Sequence, residues 1–160
     1  MIILRAITEN DRPWMSRIWL HWWLAPFVVS KAGKIHHIDD MAGFLAETHD
    51  KPIGLITYTI VDDECEITSL ISLIEGRGIG AMLLQKLEDH ARAQHCRRIW
   101  VITTNDNLQA LGWYQKRGYR LVTVYRDAMN QVRQVKPELA ILGMNDIPLR
   151  DMIELEKTLD

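Results

Sequence analysis

The stretch Glu75-Gly76-Arg77-Gly78-Ile79-Gly80 decides the fold, and it lies between an apolar, strand-like segment and an amphipathic helical segment. Its glycines occupy every second position and carry no Cβ atom. Consecutive backbone N–H groups can therefore close around an anion at the N-terminus of the helix that follows. The stretch predicts a phosphate-binding loop between a strand and a helix.

Length and composition limit the classes of protein to which the chain can belong. Its 160 residues, 48% of them hydrophobic, suffice for a single domain, residues 1–160, with its own core. Lys and Arg total 19 against 21 for Asp and Glu, so no basic excess points to nucleic acid, and a phosphate must be held by local groups. Apolar runs fall short of the ~18 residues that a membrane-spanning helix needs.

Two further features favour a cytoplasmic location. Residues 1–7 are too short, and too soon charged at Arg5, to form a signal peptide. Cys65 and Cys96 have neither the spacing of a metal site nor that of a redox pair, so we expect free thiols in a reducing compartment.

Hydrophobic periodicity predicts a mixed α/β fold in which an antiparallel meander precedes a βαβ unit. The predicted strands cover residues 2–7, 44–48, 52–61, 64–73, 98–104 and 119–125. The predicted helices begin near Pro13, follow the glycine loop as far as His95, cover residues 107–117, and begin again at Asp127 before Pro137. Residues 151–159 alternate apolar and acidic side chains, which favours a last strand over a short helix.

Three kinds of glycine loop compete for residues 75–80. A Walker loop requires Lys and Ser or Thr directly after its last glycine, where this chain has Ala81 and Met82, so an ATPase is disfavoured. A dinucleotide fingerprint, GxGxxG/A, matches residues 76–81, and Asp106 lies where a ribose-binding acid can sit. That fingerprint normally opens its domain, whereas here strands precede it, so a Rossmann-like protein remains the lesser alternative.

The third kind agrees with the order of the elements. Residues 78–84, from Gly78 to Leu84, resemble the cofactor loop of the GNAT superfamily of acetyl-CoA-dependent N-acetyltransferases, whose pattern is Gln/Arg-x-x-Gly-x-Gly/Ala. Glu75 stands where that family has Gln or Arg. Because a carboxylate near a pyrophosphate is unfavourable, we expect Glu75 to point away and Arg77 to supply the positive charge.

A second block strengthens the resemblance. Residues 107–119 are similar to the family's helix after the fifth strand, and the matching residues are Asn107, Ala110, Tyr114, Gly118 and Tyr119. Residues 103–107 and 143–156 also look like those of small bacterial acetyltransferases whose substrates are mostly unassigned. The resemblance implies a central mixed sheet of six to seven strands, flanked by helices, in which the fourth and fifth strands splay apart.

The resemblance further implies that acetyl-CoA is the cosubstrate and that its acetyl group passes to an amine by direct attack in a ternary complex. Loop N–H groups would bind the pyrophosphate, and the pantetheine arm would enter between the splayed strands. The implied cofactor-binding residues are Leu70, Ile71, Ser72, Leu73, Arg77, Gly78, Ile79, Gly80, Ala81, Asn107 and Ala110. Asn107 is at least as well suited to cap its own helix. A domain that only binds acyl-CoA as a sensor, without catalysis, remains the alternative.

Two residues are candidates for the acid–base chemistry of acetyl transfer. Tyr114 lies one turn after Ala110, which points its phenol toward the splayed strands, where it can return a proton to the departing thiolate; the alternative is a core tyrosine. Glu66 shares one sheet face with Glu64 and Thr68, whereas Ser69 takes the other face. Glu66 can deprotonate the acceptor's ammonium group if its face opens to the acceptor cleft. The alternative for Glu66 is a solvated sheet face.

The first helix supplies the candidates for the acceptor site. Trp19, Trp22 and Trp23 extend a bulky flank of the first helix, which either packs on the core or borders the entrance for a flat or partly apolar small-molecule or peptide amine. Residues 36–40 include two histidines and two aspartates, but adjacent ligands point in different directions, so we expect a polar loop and no metal. We expect neither nucleic acid nor a membrane as partner, and the resemblance allows a homodimer formed through strand edges.

Overall fold

The computed structural model describes residues 1–160, which form nine strands and four α-helices. The strands are β1 (Ile3–Ala6), β2 (Phe27–Val29), β3 (Ile35–His37), β4 (Ala42–Thr48), β5 (Lys51–Val61), β6 (Glu64–Ser72), β7 (Arg98–Thr104), β8 (Arg120–Tyr125) and β9 (Met152–Thr158). The helices are α1 (Arg12–Trp23), α2 (Ile79–Ala93), α3 (Leu108–Gln115) and α4 (Met129–Val135). None of these helices combines the length and the hydrophobicity that a membrane span requires.

Seven of the strands form one sheet in the order β1-β4-β5-β6-β7-β9-β8. Neighbouring strands are antiparallel except β6 and β7, which are parallel. The predicted mixed sheet of six to seven strands flanked by helices is therefore confirmed. The last segment is a strand, as its alternating pattern predicts, and it lies between β7 and β8.

Helix α2 covers one face of the sheet because its apolar residues recur at helical spacing. Leu83, Leu84 and Leu87 are buried within the largest apolar core, and burial of each contributes roughly 2 kcal/mol. The helix approaches β5 closely at Gly54, where a Cβ atom would lie 2.6 Å from the Ile79 side chain. This packing fixes the start of α2, and with it the end of the glycine loop.

Strands β6 and β7 pair only over their first residues. Their ladder ends at Ile67 of β6 and Val101 of β7. Beyond that point β6 continues to Ser72 and β7 to Thr104 without pairing to each other. The two strands therefore splay apart, as the family resemblance implies, and leave a cleft whose walls are two strand edges.

A bulge in β6 coincides with the start of this cleft. Thr57 of β5 pairs with Ser69, whereas its neighbour Tyr58 pairs with Ile67, so Thr68 is the extra residue. The Thr57 hydroxyl lies 2.7 Å from that of Thr68 and 2.6 Å from that of Ser69, which places both on one face. The prediction that Thr68 and Ser69 point to opposite faces is wrong, because the bulge reverses the alternation here.

The opposite face of the sheet is covered by α1 and by the hairpin β2–β3, which the sequence analysis does not predict. Each hairpin strand has three residues, fewer than the roughly four to eight over which a strand pattern can be recognised. The turn between them has left-handed backbone at Ala32 and Gly33, with φ of 57° and 71°. A second apolar core lies beneath these elements, and its buried members are Met15, Trp19, Val28, Ile38, Met41, Leu55 and Ile71.

Candidate active site

The glycine loop connects β6 to α2 with an open backbone turn. Gly76 and Gly78 have left-handed backbone, with φ of 75° and 71°, and no atom lies within 4 Å of a Cβ built at either position. Gly78 is the N-cap of α2, and no side chain caps the first N–H groups of that helix. These donors and the positive end of the helix dipole give the loop the geometry that an anion-binding turn requires.

The glycine loop lies against α3. A Cβ atom at Gly80 would lie 3.4 Å from the ring of Trp113, and the Arg117 guanidinium stacks on the same ring at 3.8 Å from its centroid. The fold thus brings together the two sequence blocks that carry the family resemblance, although a helix and a strand separate them along the chain.

The β6 wall of the cleft presents free backbone groups. Leu73 donates its N–H to the Ile53 carbonyl of β5 at 2.9 Å. Because the direction of the N–H groups alternates along an antiparallel ladder, Ile71 also donates toward β5, whereas Leu70 and Ser72 point to the open edge. Of the implied cofactor-binding residues Leu70 and Ile71, Leu70 is therefore the one whose N–H group faces the cleft.

Asn107 stands at the mouth of the cleft as the N-cap of α3. Its Oδ1 accepts a hydrogen bond from the Ala110 backbone N–H at 3.1 Å. The capping role that the sequence predicts is observed. It engages only the side-chain oxygen, so the amide NH₂ group keeps its donors.

Asp106, the ribose-binding acid of the dinucleotide alternative, is engaged by the protein itself. It is 3% exposed, one carboxylate oxygen accepts from the Thr104 hydroxyl, and the other accepts from the Met144 N–H at 2.8 Å. A Cβ atom at Gly143 would clash with this carboxylate at 2.1 Å. The site of Asp106 is thus closed, which argues against the Rossmann-like alternative, as does the largely antiparallel sheet.

Tyr114 lies on α3 within an aromatic cluster. Its ring packs edge-on against Trp113 and Tyr119 at centroid distances of 5.0 and 5.3 Å. Burial raises the pKa of its phenol, and no hydrogen bond from the protein contributes. By contrast, the Tyr119 phenol donates to Glu88 at 3.2 Å. Tyr114 is therefore protonated at physiological pH, and no protein acceptor holds its proton.

Glu66 is buried, and its carboxylate is shared between two residues of the hairpin region. The Ser30 hydroxyl donates to Oε2 at 2.6 Å, and His36 Nε2 lies 3.0 Å from Oε1. The solvated face proposed as the alternative is wrong, because the hairpin covers Glu66 and leaves it 6% exposed. A cavity of about 290 Å³, lined also by Thr59 and Trp100, adjoins the carboxylate.

The three tryptophans predicted at the acceptor entrance fall into two groups. Trp19 is fully buried, and its indole N–H donates to the Ser69 hydroxyl at 3.2 Å. The prediction that Trp19 contacts the acceptor is wrong, because Trp19 lies on the inner face of α1 beside Met15. Trp22 is 55% exposed and Trp23 is partly exposed, so these two remain available to a ligand.

Lys136, which is not among the residues predicted from the sequence, lies between α1 and the hairpin. The residue is 3% exposed, its ammonium donates to the Trp23 carbonyl at 2.8 Å, and Nζ lies 5.0 Å from the centroid of the Phe27 ring. Burial lowers the pKa of Lys136 to about 8. Its only sequence signal is the Pro137 that follows, which ends a helix but does not distinguish a buried lysine from an exposed one.

A buried charge cluster around Glu154 is likewise absent from the sequence-based predictions. Its Oε1 accepts from Lys31 at 2.6 Å and from Tyr125 at 2.8 Å, and its Oε2 accepts from Arg98 at 2.8 Å. Burial on its own would raise the pKa of Glu154, but these three hydrogen bonds outweigh that effect and lower it. The alternating pattern of β9 correctly sets Glu154 on a different face from Leu155, yet the hairpin above that face leaves it 2% exposed.

Residues 36–40 form no metal site. His36 is bound to Glu66, and the exposed His37 packs on Phe27 at 5.7 Å between ring centroids. Nowhere in the structure are three or more His, Cys, Asp or Glu side chains grouped to hold a metal ion.

Comparison with known proteins identifies relatives along the whole chain. The sequence model of the acetyltransferase (GNAT) family matches residues 6–119. The uncharacterized Bacillus subtilis protein YdhI is 43% identical over 161 residues, which cover 100% of both chains. A second uncharacterized Bacillus subtilis protein, YxbD, is 44% identical over 138 residues, which cover 86% of both.

Solved structures share the fold at lower identity. An IAA acetyltransferase from Bacillus cereus has a TM-score of 0.77 at 20% identity, over 99% of this chain and 100% of the other. A Bacillus subtilis acetyltransferase in complex with CoA has a TM-score of 0.70 at 18% identity, over 99% and 98%. A GNAT family acetyltransferase from Elizabethkingia anophelis with acetyl-CoA bound has a TM-score of 0.72 at 19% identity, over 99% and 98%. The match of the family model over residues 6–119 shows that the chain belongs to the acetyltransferase (GNAT) family.

Proposed function

We propose that the protein is an N-acetyltransferase that transfers the acetyl group of acetyl-CoA to an amine by direct attack in a ternary complex. One arrangement carries the proposal. The glycine loop, which leaves the first N–H groups of α2 without a side-chain cap, and the two splayed strands lie beside α3, and α3 bears the phenol of Tyr114, which has no hydrogen-bond partner in the protein. Family membership supports it, as do the CoA and acetyl-CoA held by two of the structural neighbours.

The cofactor would bind along the cleft from the loop inward. The N–H groups of residues 77–81 would hold the pyrophosphate, helped by the exposed Arg77, while the exposed Glu75 can turn to solvent. The pantetheine arm would lie along residues 70–73, where Leu70 and Ser72 direct N–H groups to the open edge. Across the cleft, the free amide donors of Asn107 and the first turn of α3 would complete the site.

The transfer would proceed by attack of a neutral amine on the thioester carbonyl. A C–N bond forms, and the Leu70 N–H stabilises the oxyanion of the tetrahedral intermediate. The C–S bond then breaks, and the phenol of Tyr114 gives its proton to the departing thiolate. The proton lost by the amine nitrogen passes to a base or to water, and the phenolate regains a proton from solvent.

Glu66 is the proposed base, but its two carboxylate oxygens are engaged by Ser30 and His36. A proton from the acceptor would reach Glu66 through the adjoining cavity or by way of His36. This arrangement also supports the alternative function, an acyl-CoA-binding module without catalysis, because no carboxylate in the region stands free to act as a base.

The proposed acceptor is a flat or partly apolar small-molecule or peptide amine. The partly exposed rings of Trp22 and Trp23 support this class, since aromatic faces bind such ligands well. The buried, unpaired thiols of Cys65 and Cys96 are consistent with a cytoplasmic location.

Release of CoA from acetyl-CoA, measured with a panel of aromatic, aliphatic and polycationic amines, tests the proposal. Amine-dependent release that is fastest with an aromatic or apolar amine is expected. If acetyl-CoA binds but no amine accelerates release, the chain is a binding module. If CoA release is fastest with a polycationic amine such as spermine, the proposed acceptor class is wrong but the proposed acetyl transfer to an amine still holds.

A further inference from the structure

The ammonium group of Lys31 lies in a pocket built from the main sheet. Its Nζ is 2.6 Å from Glu154 Oε1 and 4.1 Å from the centroid of the Trp100 ring. The Tyr125 phenol donates to the same carboxylate oxygen at 2.8 Å. An anion, an aromatic face and a phenol thus surround one primary ammonium group, which is the combination that such groups prefer in proteins.

The pocket is preformed, because its walls belong to three paired strands. Trp100 lies on β7, Tyr125 on β8 and Glu154 on β9. Glu154 is 2% exposed and Trp100 is 7% exposed, and the second oxygen of Glu154 is held by Arg98 at 2.8 Å. Arg98 and Tyr125 therefore hold the carboxylate in its orientation when Lys31 is withdrawn.

Lys31, in contrast, enters the pocket from a surface turn. Its side chain is 30% exposed, and it begins the Lys31–Gly33 turn of the hairpin, where the backbone is left-handed at Ala32. Two cavities adjoin this turn: one of about 600 Å³, lined by Lys31, Tyr125 and Gln131, and the one of about 290 Å³ beside Trp100. This open space next to the turn leaves room for the Lys31 side chain to move without repacking the sheet.

We propose that Glu154, Trp100 and Tyr125 form a binding site for a small primary alkylammonium ion, and that Lys31 fills this site as an internal ligand. Removal or displacement of Lys31 would leave a formed and charged pocket for an exogenous ammonium group. Primary ammonium is preferred over quaternary ammonium because Glu154 Oε1 requires an N–H donor at 2.6 Å. The site does not depend on acetyl transfer and would exist in a protein with no catalytic activity.

The test is chemical rescue of Lys31→Ala with n-propylammonium, which replaces the atoms that the substitution removes. Binding is followed by titration calorimetry and by the rise in melting temperature, at constant ionic strength. We expect n-propylammonium to bind Lys31→Ala with millimolar affinity. Its affinity should be at least about 10-fold weaker for the native protein, because Lys31 fills the site, and for the double variant Lys31→Ala/Glu154→Gln, because the carboxylate is lost. 1-Propanol and tetramethylammonium serve as the neutral and the quaternary controls.

If 1-propanol stabilises Lys31→Ala as much as n-propylammonium does, the substitution has left only an apolar cavity and the proposal is wrong. It is also wrong if n-propylammonium does not bind to folded Lys31→Ala. If Lys31→Ala does not fold alone, it is refolded in the presence of n-propylammonium or of 1-propanol. Recovery of folded protein with n-propylammonium but not with 1-propanol supports the site. Recovery with both compounds, or with neither, refutes it.

Discussion

On the α2 face of the sheet the candidate cofactor groups are backbone N–H donors, whereas on the hairpin face the candidate groups are buried charges. The glycine loop and Leu70 need only a particular chain path, and any side chain that respects this path leaves the donors in place. Glu66 and Glu154 instead depend on partners from other elements, namely Ser30, His36 and Lys31. The first kind of site is broken by a Cβ atom and the second by the loss of a partner.

The largest effect is expected on the hairpin face. Glu154→Ala removes the partner of Lys31 and one partner of Arg98, so the free energy of unfolding should fall by about 3 kcal/mol. Asp89→Ala, which breaks an exposed pair with Arg92, is the control and should cost less than about 0.5 kcal/mol. Urea denaturation measures the free energy of unfolding of both variants. Similar decreases would show that the buried cluster stabilises the protein no more than an exposed ion pair does.

On the cofactor face, Gly78→Ala should weaken acetyl-CoA binding by about 10-fold or more, because the new Cβ atom strains a backbone with φ of 71° and alters the path of the donors. Gly112→Ala is the matched control, since Gly112 lies within α3 with open space around it. Calorimetric titration with acetyl-CoA compares the two variants. Equal acetyl-CoA affinities of the two variants would show that cofactor binding does not depend on the conformation of the loop at Gly78.

Tyr114→Phe tests the proton donor separately from cofactor binding. Turnover should fall by about 10-fold or more, with little change in acetyl-CoA affinity, because the phenyl ring keeps the packing and loses only the proton. Tyr58→Phe is the control, since its phenol is bonded to His90 at 2.9 Å beneath α2. Unchanged turnover in Tyr114→Phe would return this residue to a purely structural role.

A smaller, pH-dependent effect is expected at Lys136. Its pKa is about 8 in the folded protein, below its ordinary value, so between these values the unfolded chain binds a proton that the folded protein lacks. Stability relative to Lys136→Met should therefore rise by about 1 kcal/mol or more between about pH 7 and pH 9.5. Denaturation curves at several pH values measure this, with the exposed Lys116→Met as control. A stability difference that does not change with pH would contradict the lowered pKa of Lys136.

The cofactor face could be predicted from the sequence because its features are local. A phosphate-binding turn needs glycines at fixed spacing directly before a helix, and all of these positions lie within residues 75–84. The meander, the βαβ unit and the last strand, β9, could be predicted for the same reason, because hydrophobic periodicity is a local property of the sequence. Asn107 could be predicted as a cap because its partner, Ala110, lies three residues on.

The hairpin face could not be predicted because its residues are defined by distant partners. Trp19 and Trp22 look alike in the sequence, and only the packing of α1 on β6 shows which of them is buried. The bulge at Thr68 leaves no local signature and reverses the alternation that placed Ser69. Glu154 resembles any acidic residue of a solvated strand until the short hairpin is placed above it.

Calorimetric titration of the native protein with acetyl-CoA, run beside NAD, tests the central claim most directly. We expect micromolar binding of acetyl-CoA and none of NAD, because the glycine loop lies at a cleft between splayed strands and Asp106 is closed to a ribose. Binding of NAD without binding of acetyl-CoA would contradict it, and would withdraw the proposed roles of Tyr114 and Asn107.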